Sequence, residues 1–318
     1  MDNSADRLST RFVSIQHPRR ESRWPTQDRI NLIAIDGSES GNRATEYVAR
    51  QASKLRPCEV HLVTVRPARI LELLTDAQRD LVLNAADETD GSRQMLDSAG
   101  IAYRFHAQLG DPVREIIALV NKLACDEIVL GSRGMSTIDG LVVGSVAYKI
   151  VHEAPVPVSV VPNAHTAAQR DVKDGEGAHR ILLPVDGSAL AARAVKYVQA
   201  LRDARTAVEV RLLNVQLPIL SGNVRRFVSQ DTIENYWRGE SEAALQGATQ
   251  ALQDAGMKFE SKMSIGHASE TIAKEANQWG ATRIVMGTRG LGALASVVVG
   301  STALQVVHLS EIPVTLVK

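Results

Sequence analysis

Short runs of consecutive apolar residues alternate along this chain with longer stretches in which apolar residues recur every three or four positions. The short runs read as strands buried on both faces, and the periodic stretches as helices with one apolar side. On that pattern strands are expected at 31–35, 60–65, 102–108, 127–130 and 157–161. Between them lie a helix with Ala44, Tyr47, Val48 and Ala49 on one face, then helices at about 77–98, 112–124 and 144–153. Asp111-Pro112 marks the start of the third, as N-cap and first helical residue. The same alternation returns at 181–185, 190–203, 208–215, 231–255, 258–265, 268–279, 283–286, 300–309 and 313–317. Strands alternating with helices imply an α/β fold, a parallel sheet with helices on both faces.

The second series is a copy of the first. Ile30-Asn-Leu-Ile-Ala-Ile-Asp36-Gly-Ser38 matches Ile181-Leu-Leu-Pro-Val-Asp186-Gly-Ser188, and Val60–Val65 matches Val210–Val215, both at an offset of 150 residues. Further on, Gly110, Gly131, Gly144 and His152 match Gly266, Gly287, Gly300 and His308 at an offset of 156. The second copy therefore carries six additional residues between its second and third strands. Constant spacing over many positions marks a duplication. The expected layout is an extension at 1–28, a first domain at 29–162, a polar linker at 163–179 and a second domain at 180–318.

Composition narrows the choice of partner. The chain of 318 residues holds 36 basic and 36 acidic side chains, so no global charge invites nucleic acid or an anionic membrane. No apolar run approaches the roughly 20 residues that span a bilayer. Residues 1–28 lack the charged-then-apolar pattern of a secretory signal. The two cysteines, Cys58 and Cys125, are expected to be reduced thiols, one before each of two first-half strands, which fits a cytoplasmic protein.

The candidate chemistry sits where strands end. Each copy closes its fourth strand on Gly-x-x-Gly, then nine residues, then Gly-Ser: Gly131, Gly134, Gly144 and Ser145, and again Gly287, Gly290, Gly300 and Ser301. A Gly-Ser pair opening a helix leaves N–H groups facing outward, where a phosphate is welcome. If the first and fourth strands are neighbours, their diverging loops leave a crevice at the carboxyl end of the sheet. Asp36 and Asp186 would line one side of it, or cap the turn that follows them, and the two roles are compatible. Arg133 and Arg289 are candidate phosphate clamps or solvated loop residues. His152 and His308, at equivalent helix ends, suit the helix dipole better than catalysis. No His, Cys, Asp or Glu grouping has metal-ligand spacing, so any Mg²⁺ or Mn²⁺ is expected to arrive with phosphates.

On these residues each half resembles an ATP-binding universal stress protein domain, with a strand-one Asp-Gly-Ser and the ungapped glycine motif. The resemblance implies two tandem open five-stranded parallel sheets of order 3-2-1-4-5, similar to the adenine nucleotide alpha hydrolase fold. It implies ATP, or ADP or AMP, as ligand. The adenosine end would meet Asp36 with Ala34, and Asp186 with Pro184, while Val65 and Val215 would hold adenine through their backbones. The glycine loops and Gly-Ser pairs would wrap ribose and phosphates. The first half has Ala34 where the family's common proline stands, as Pro184 does in the second. It further implies pairing through edge strands, which within a tandem chain can join 157–161 to 313–317, and leaves a homodimer open.

Other classes fit poorly. No Gly-Lys-Ser/Thr follows the glycines, no Ser-Gly-Gly-x-Asp-Ser loop follows strand one, and no G-x-G-x-x-G is present there. A receiver domain would need its aspartate after strand three, where Gln108-Leu-Gly110 and Met263-Ser-Ile-Gly266 stand instead. The expected activity is nucleotide binding in stress signalling or protection, with at most weak ATP hydrolysis. A slow ATPase and a scaffold with vestigial pockets are the alternatives.

Overall fold

The computed structural model describes residues 29–54, 58–66, 89–132, 144–163, 179–201, 208–219, 228–290 and 299–318. The first half runs β1 (Arg29–Ala34), α1 (Glu39–Lys54), β2 (Cys58–Arg66), α2 (Asp90–Ser98), β3 (Tyr103–Leu109), α3 (Pro112–Leu123), β4 (Glu127–Gly131), α4 (Ser145–Glu153) and β5 (Val158–Val161). The second runs β6 (His179–Pro184), α5 (Ala189–Leu201), β7 (Val208–Gln216), α6 (Gln230–Asp254), β8 (Phe259–Ile265), α7 (Ala268–Trp279), β9 (Arg283–Gly287), α8 (Ser301–Leu309) and β10 (Val314–Val317).

Strand boundaries fall a little outside the apolar runs. β1 starts at Arg29 and β6 at His179, because Arg29 pairs with Cys58 and His179 with Val208 along the ladder. A backbone ladder needs no apolar side chain, so polar first residues escape a hydrophobicity reading. β6 thus begins on the last residue of the stretch expected as linker, and Cys58 opens β2 instead of preceding it. Of the expected helix at 77–98, residues 77–88 lie outside the described residues, as do residues 164–178 of the expected linker at 163–179 and the extension at 1–28.

The ten strands form one sheet in the order β3-β2-β1-β4-β5-β10-β9-β6-β7-β8. Each half is parallel, with its first strand beside its fourth. β5 and β10 join the halves antiparallel, with Val314 opposite Val160, Thr315 opposite Ser159 and Leu316 opposite Val158. The carboxyl ends of the two sets of strands therefore face opposite edges of the sheet.

Three apolar clusters hold the layers. One is continuous across the seam, from Leu32, Ile128 and Ile150 to Ile284, Val306 and Leu316, and is covered by α3, α4, α7 and α8. On the other face, α1 and α2 cover Ile33, Leu62 and Val129 in the first half, and α5 and α6 cover Leu183, Leu212 and Val285 in the second. Because one core spans both halves, burial itself opposes their separation. Among the described residues, no helix is long and apolar enough to cross a membrane.

Candidate nucleotide pocket

The local structure of Asp-Gly-Ser is the same in both halves. After β6 the chain continues through Val185, whose N–H donates to Leu213 O at 2.8 Å. One carboxylate oxygen of Asp186 then accepts from the Ser188 N–H at 3.0 Å, and the Ser188 hydroxyl oxygen accepts from the Ala191 N–H at 3.3 Å. Gly187 between them sits at φ 82°, a left-handed conformation that L side chains resist. Asp36, Gly37 at φ 83° and Ser38 repeat the arrangement, with bonds of 3.1 Å from Ser38 N–H to Asp36 and 3.2 Å from Gly41 N–H to Ser38. The aspartate thus sets the turn and the serine caps the helix.

The glycine loop is anchored at its two ends on one residue. The Thr288 N–H donates to Val317 O at 2.9 Å, and the Gly300 N–H donates back to Thr288 O at 2.7 Å. Ser132 does the same with Val161 and Gly144, both at 2.8 Å. Gly300 then occupies the N-cap of α8 at φ −74° and ψ 154°, and among the described residues no side chain caps the helix. The first-turn N–H groups are left for a ligand or solvent, at the positive end of the helix dipole.

The glycines have different reasons for being glycine. A Cβ on Gly287 would lie 2.7 Å from the Leu190 Cβ, and one on Gly131 would lie 2.6 Å from the Ser40 backbone carbon. Those two glycines let the start of α5 or α1 close onto the strand. Gly290 leaves no room for a side chain beside the Asp186 carboxylate. Gly300 differs, because among the described residues a Cβ there would meet nothing nearer than 3.5 Å and its φ suits any residue. Its bareness is not demanded by packing.

In the second half these parts surround a cavity of about 570 Å³. Pro184, Asp186, Val215, Gly287, Gly290, Gly300 and Ser301 all line it, so every second-half position expected to meet nucleotide comes together there. Leu213, Ile272, Met286 and Ala303 supply apolar wall. Arg289 also lines it, half-buried, as the one cation among the lining residues beside the one anion, Asp186. In the first half Ala34 is registered against Val63 and Leu130, and Gly131 against Val161. That places Ala34, Asp36, Gly131, Gly144 and Ser145 around the equivalent strand ends, with Val65 on the neighbouring β2. Gly134 and Arg133 lie outside the described residues.

Two buried polar lining residues, Asn214 and Thr288, are not singled out by the sequence. Buried Asn214 donates to Val185 O at 2.8 Å and accepts from the Gln216 side chain at 2.7 Å, tying the ends of β6 and β7 together. Thr288, also buried, is the loop's anchor. The signal for the second was a small hydroxyl residue after the strand glycine in both copies, Ser132 and Thr288. Among the described residues no group of three or more His, Cys, Asp or Glu could hold a metal ion. His152 Nδ1 lies 2.9 Å from Tyr148 O within α4, away from the pocket.

Comparison with known proteins agrees with this architecture. The model of the universal stress protein family matches twice, over residues 29–162 and 177–318. A universal stress protein of Mycolicibacterium smegmatis is 23% identical over 304 residues, spanning 90% of this chain and 96% of that one. A universal stress protein of Methanocaldococcus jannaschii is 28% identical over 155 residues, 44% of this chain and 94% of its own length. The crystal structure of a universal stress protein from Archaeoglobus fulgidus superposes with a TM-score of 0.64 at 24% identity, covering 92% of this chain and 99% of that one. The two family matches together take in the duplicated strands, the capped Asp-Gly-Ser turns and the anchored glycine loops, and the chain belongs to the universal stress protein family as a tandem member.

Proposed function

We propose that the chain binds an adenine nucleotide, ATP or its products ADP and AMP, in the second-half cavity and in its first-half counterpart. The observation that carries this reading is the uncapped start of α8 behind Gly300. There a glycine that packing does not require leaves the helix N-terminus open to a cavity lined by Asp186, Val215 and the glycine loop. Phosphates would lie against the first-turn N–H groups and the hydroxyl of Ser301, with Arg289 within the same lining. The sugar and base would lie toward Asp186, Pro184 and Val215, against the apolar wall. Any Mg²⁺ or Mn²⁺ would come bound to the phosphates.

Binding, and not efficient turnover, is the proposed activity. Hydrolysis needs a positioned water and a base or an arginine at the γ-phosphate; Arg289 lines the cavity, but no P-loop lysine follows the glycine loop. Nucleotide occupancy would then act as a signal in the cytoplasm, where a buried free thiol such as Cys125 is stable. The test is to denature freshly purified protein and to identify and count released nucleotide, with a titration of ATP and Mg²⁺ on the emptied protein. Released or titrated adenine nucleotide at one to two per chain supports the reading. No released nucleotide together with no heat would overturn it and leave a scaffold.

A further inference from the structure

The seam between the halves contains a charge pair that the duplication makes informative. Glu127 opens β4 and Arg283 opens β9, and they are the same position in the two copies, 156 residues apart. Both are buried, at 3% and 4% exposure, and they form an ion pair with each other across the seam. Duplicated residues surround them. The Tyr197 hydroxyl donates to Glu127 Oε2 at 2.7 Å, and the ring of Tyr47, the same position in the first copy, lies 5.8 Å from the Arg283 guanidinium. Ser159 and Thr315, again duplicates, share a hydrogen bond of 2.7 Å between the paired edge strands, and Arg283 donates to both.

This arrangement has approximate two-fold symmetry in everything except charge. If two first halves paired edge to edge, Glu127 would face a second Glu127 in a dry setting, each keeping its own Arg29 at 3.5 Å but losing the Arg283 guanidinium between them. If two second halves paired, Arg283 would face Arg283. Like charges facing each other without solvent are strongly unfavourable, and such juxtaposition suppresses wrong partners. Apolar residues there could stabilise the seam as well as the pair does, without discriminating between partners.

From this placement we infer that the Glu127–Arg283 pair selects the partner of each edge strand. It restricts β5 to a β10, in the same chain or in a second copy of it, and excludes pairing of like halves. The tyrosines and hydroxyls present on both sides allow the opposite polarity to be housed as well. Arg29, 3.5 Å from Glu127, has His179 as its duplicate, so a reversed pair loses one supporting cation and its recovery is expected to be incomplete.

The experiment uses the full chain in four forms: unaltered, Glu127→Arg, Arg283→Glu, and both changes together. Each single variant places like charges at the seam and is expected to open it, read as a larger radius of gyration at unchanged mass per chain. The double variant is expected to recover most of the compactness. Co-expression of Glu127→Arg with Arg283→Glu gives every half an oppositely charged partner only in the other chain. Native mass spectrometry should then show heteromers in several-fold excess over those formed by two differently tagged unaltered chains. If a single variant does not accumulate alone, the co-expressed pair and the double variant still report. Single variants as compact as the unaltered chain would overturn the inference, as would a double variant and co-expressed pair no better than the singles.

Discussion

Ala124 and Gly280 are the same residue of the duplicated unit, and they show what a single position costs. Each ends its third helix in the left-handed region, Ala124 at φ 51° and Gly280 at φ 71°. In each, the next N–H returns to the helix, Cys125 to Val120 O at 3.0 Å and Ala281 to Ala276 O at 2.9 Å. Glycine adopts this conformation freely, whereas alanine carries a penalty of about 1 kcal/mol. Ala124→Gly is therefore expected to stabilise the protein by about that amount, read as a higher urea midpoint. At the turns, Ser188→Ala removes a cap and should cost about 1 kcal/mol. The loop glycines separate structure from function. Gly287→Val drives a side chain into Leu190 and is expected to unfold the half, while Gly300→Val should keep the fold and cost only about 1 kcal/mol, since valine is a poorer N-cap than glycine. Circular dichroism with thermal melting checks both.

At the scale of elements, a titrating pair joins β2 and β3. His61 Nδ1 lies 2.8 Å from His106 Nε2, and His61 Nε2 lies 3.1 Å from Glu59. A chain of neutral imidazoles ending on that carboxylate satisfies the contacts. Burial, with Arg104 nearby, pushes His61 down to about 4. Burial, then His61, Arg104 and Lys122, push His106 down to about 4 as well. The unfolded chain takes up these protons near 6.5 and the folded chain near 4, so the unfolded state binds more protons in between. Stability is full above about 6.5 and falls as pH drops toward 4. Urea midpoints at pH 7, 6 and 5 should decline, and His106→Gln should flatten the decline. An unchanged slope in that variant would contradict the assignment.

The same scale shows what could be read from sequence. Alternating apolar runs placed the strands because buried parallel strands need apolar side chains on both faces. The first residues of β1 and β6 were missed because Arg29 and His179 enter the ladder through their backbones. Asp36 and Asp186 were recognised because the Asp-Gly-Ser turn repeats. Asn214 was not, because a buried amide inside an apolar strand looks like any polar interruption until its partners, Val185 and Gln216, are seen. Glu127 and Arg283 were overlooked for a related reason. A charge at the head of an apolar strand reads as a solvated end, and only the antiparallel meeting of β5 with β10 buries it.

On the scale of the whole molecule the seam is both glue and constraint. Burial alone would raise the Glu127 carboxyl. The guanidiniums of Arg283 and Arg29, with hydrogen bonds from Ser159 and Tyr197, outweigh burial and hold it below the ordinary carboxylate value. Removing one partner, as in Arg283→Met, strands a buried charge and should cost about 3–5 kcal/mol. The carboxylate's share is present above its unfolded value near 4.5 and is lost as pH falls through the lower folded value. That loss sets in at the lower end of the histidine window, so the urea midpoint should go on falling below pH 4 after the histidines have titrated.

The joined sheet sends the two candidate pockets to opposite edges of the molecule, each with its own capped turn and anchored loop. In the proposed function the open helix start behind Gly300 takes the phosphates of an adenine nucleotide. The most direct measurement is calorimetric titration of nucleotide-free protein with ATP and Mg²⁺, beside Gly300→Val and Gly144→Val. Binding to the unaltered chain is expected, with loss of the second-half site in Gly300→Val while the apo variant stays folded and its melting temperature falls by only a few degrees. Gly144→Val should spare that second-half site. Binding that survives in full in Gly300→Val, or no binding to the unaltered chain, would contradict that proposal.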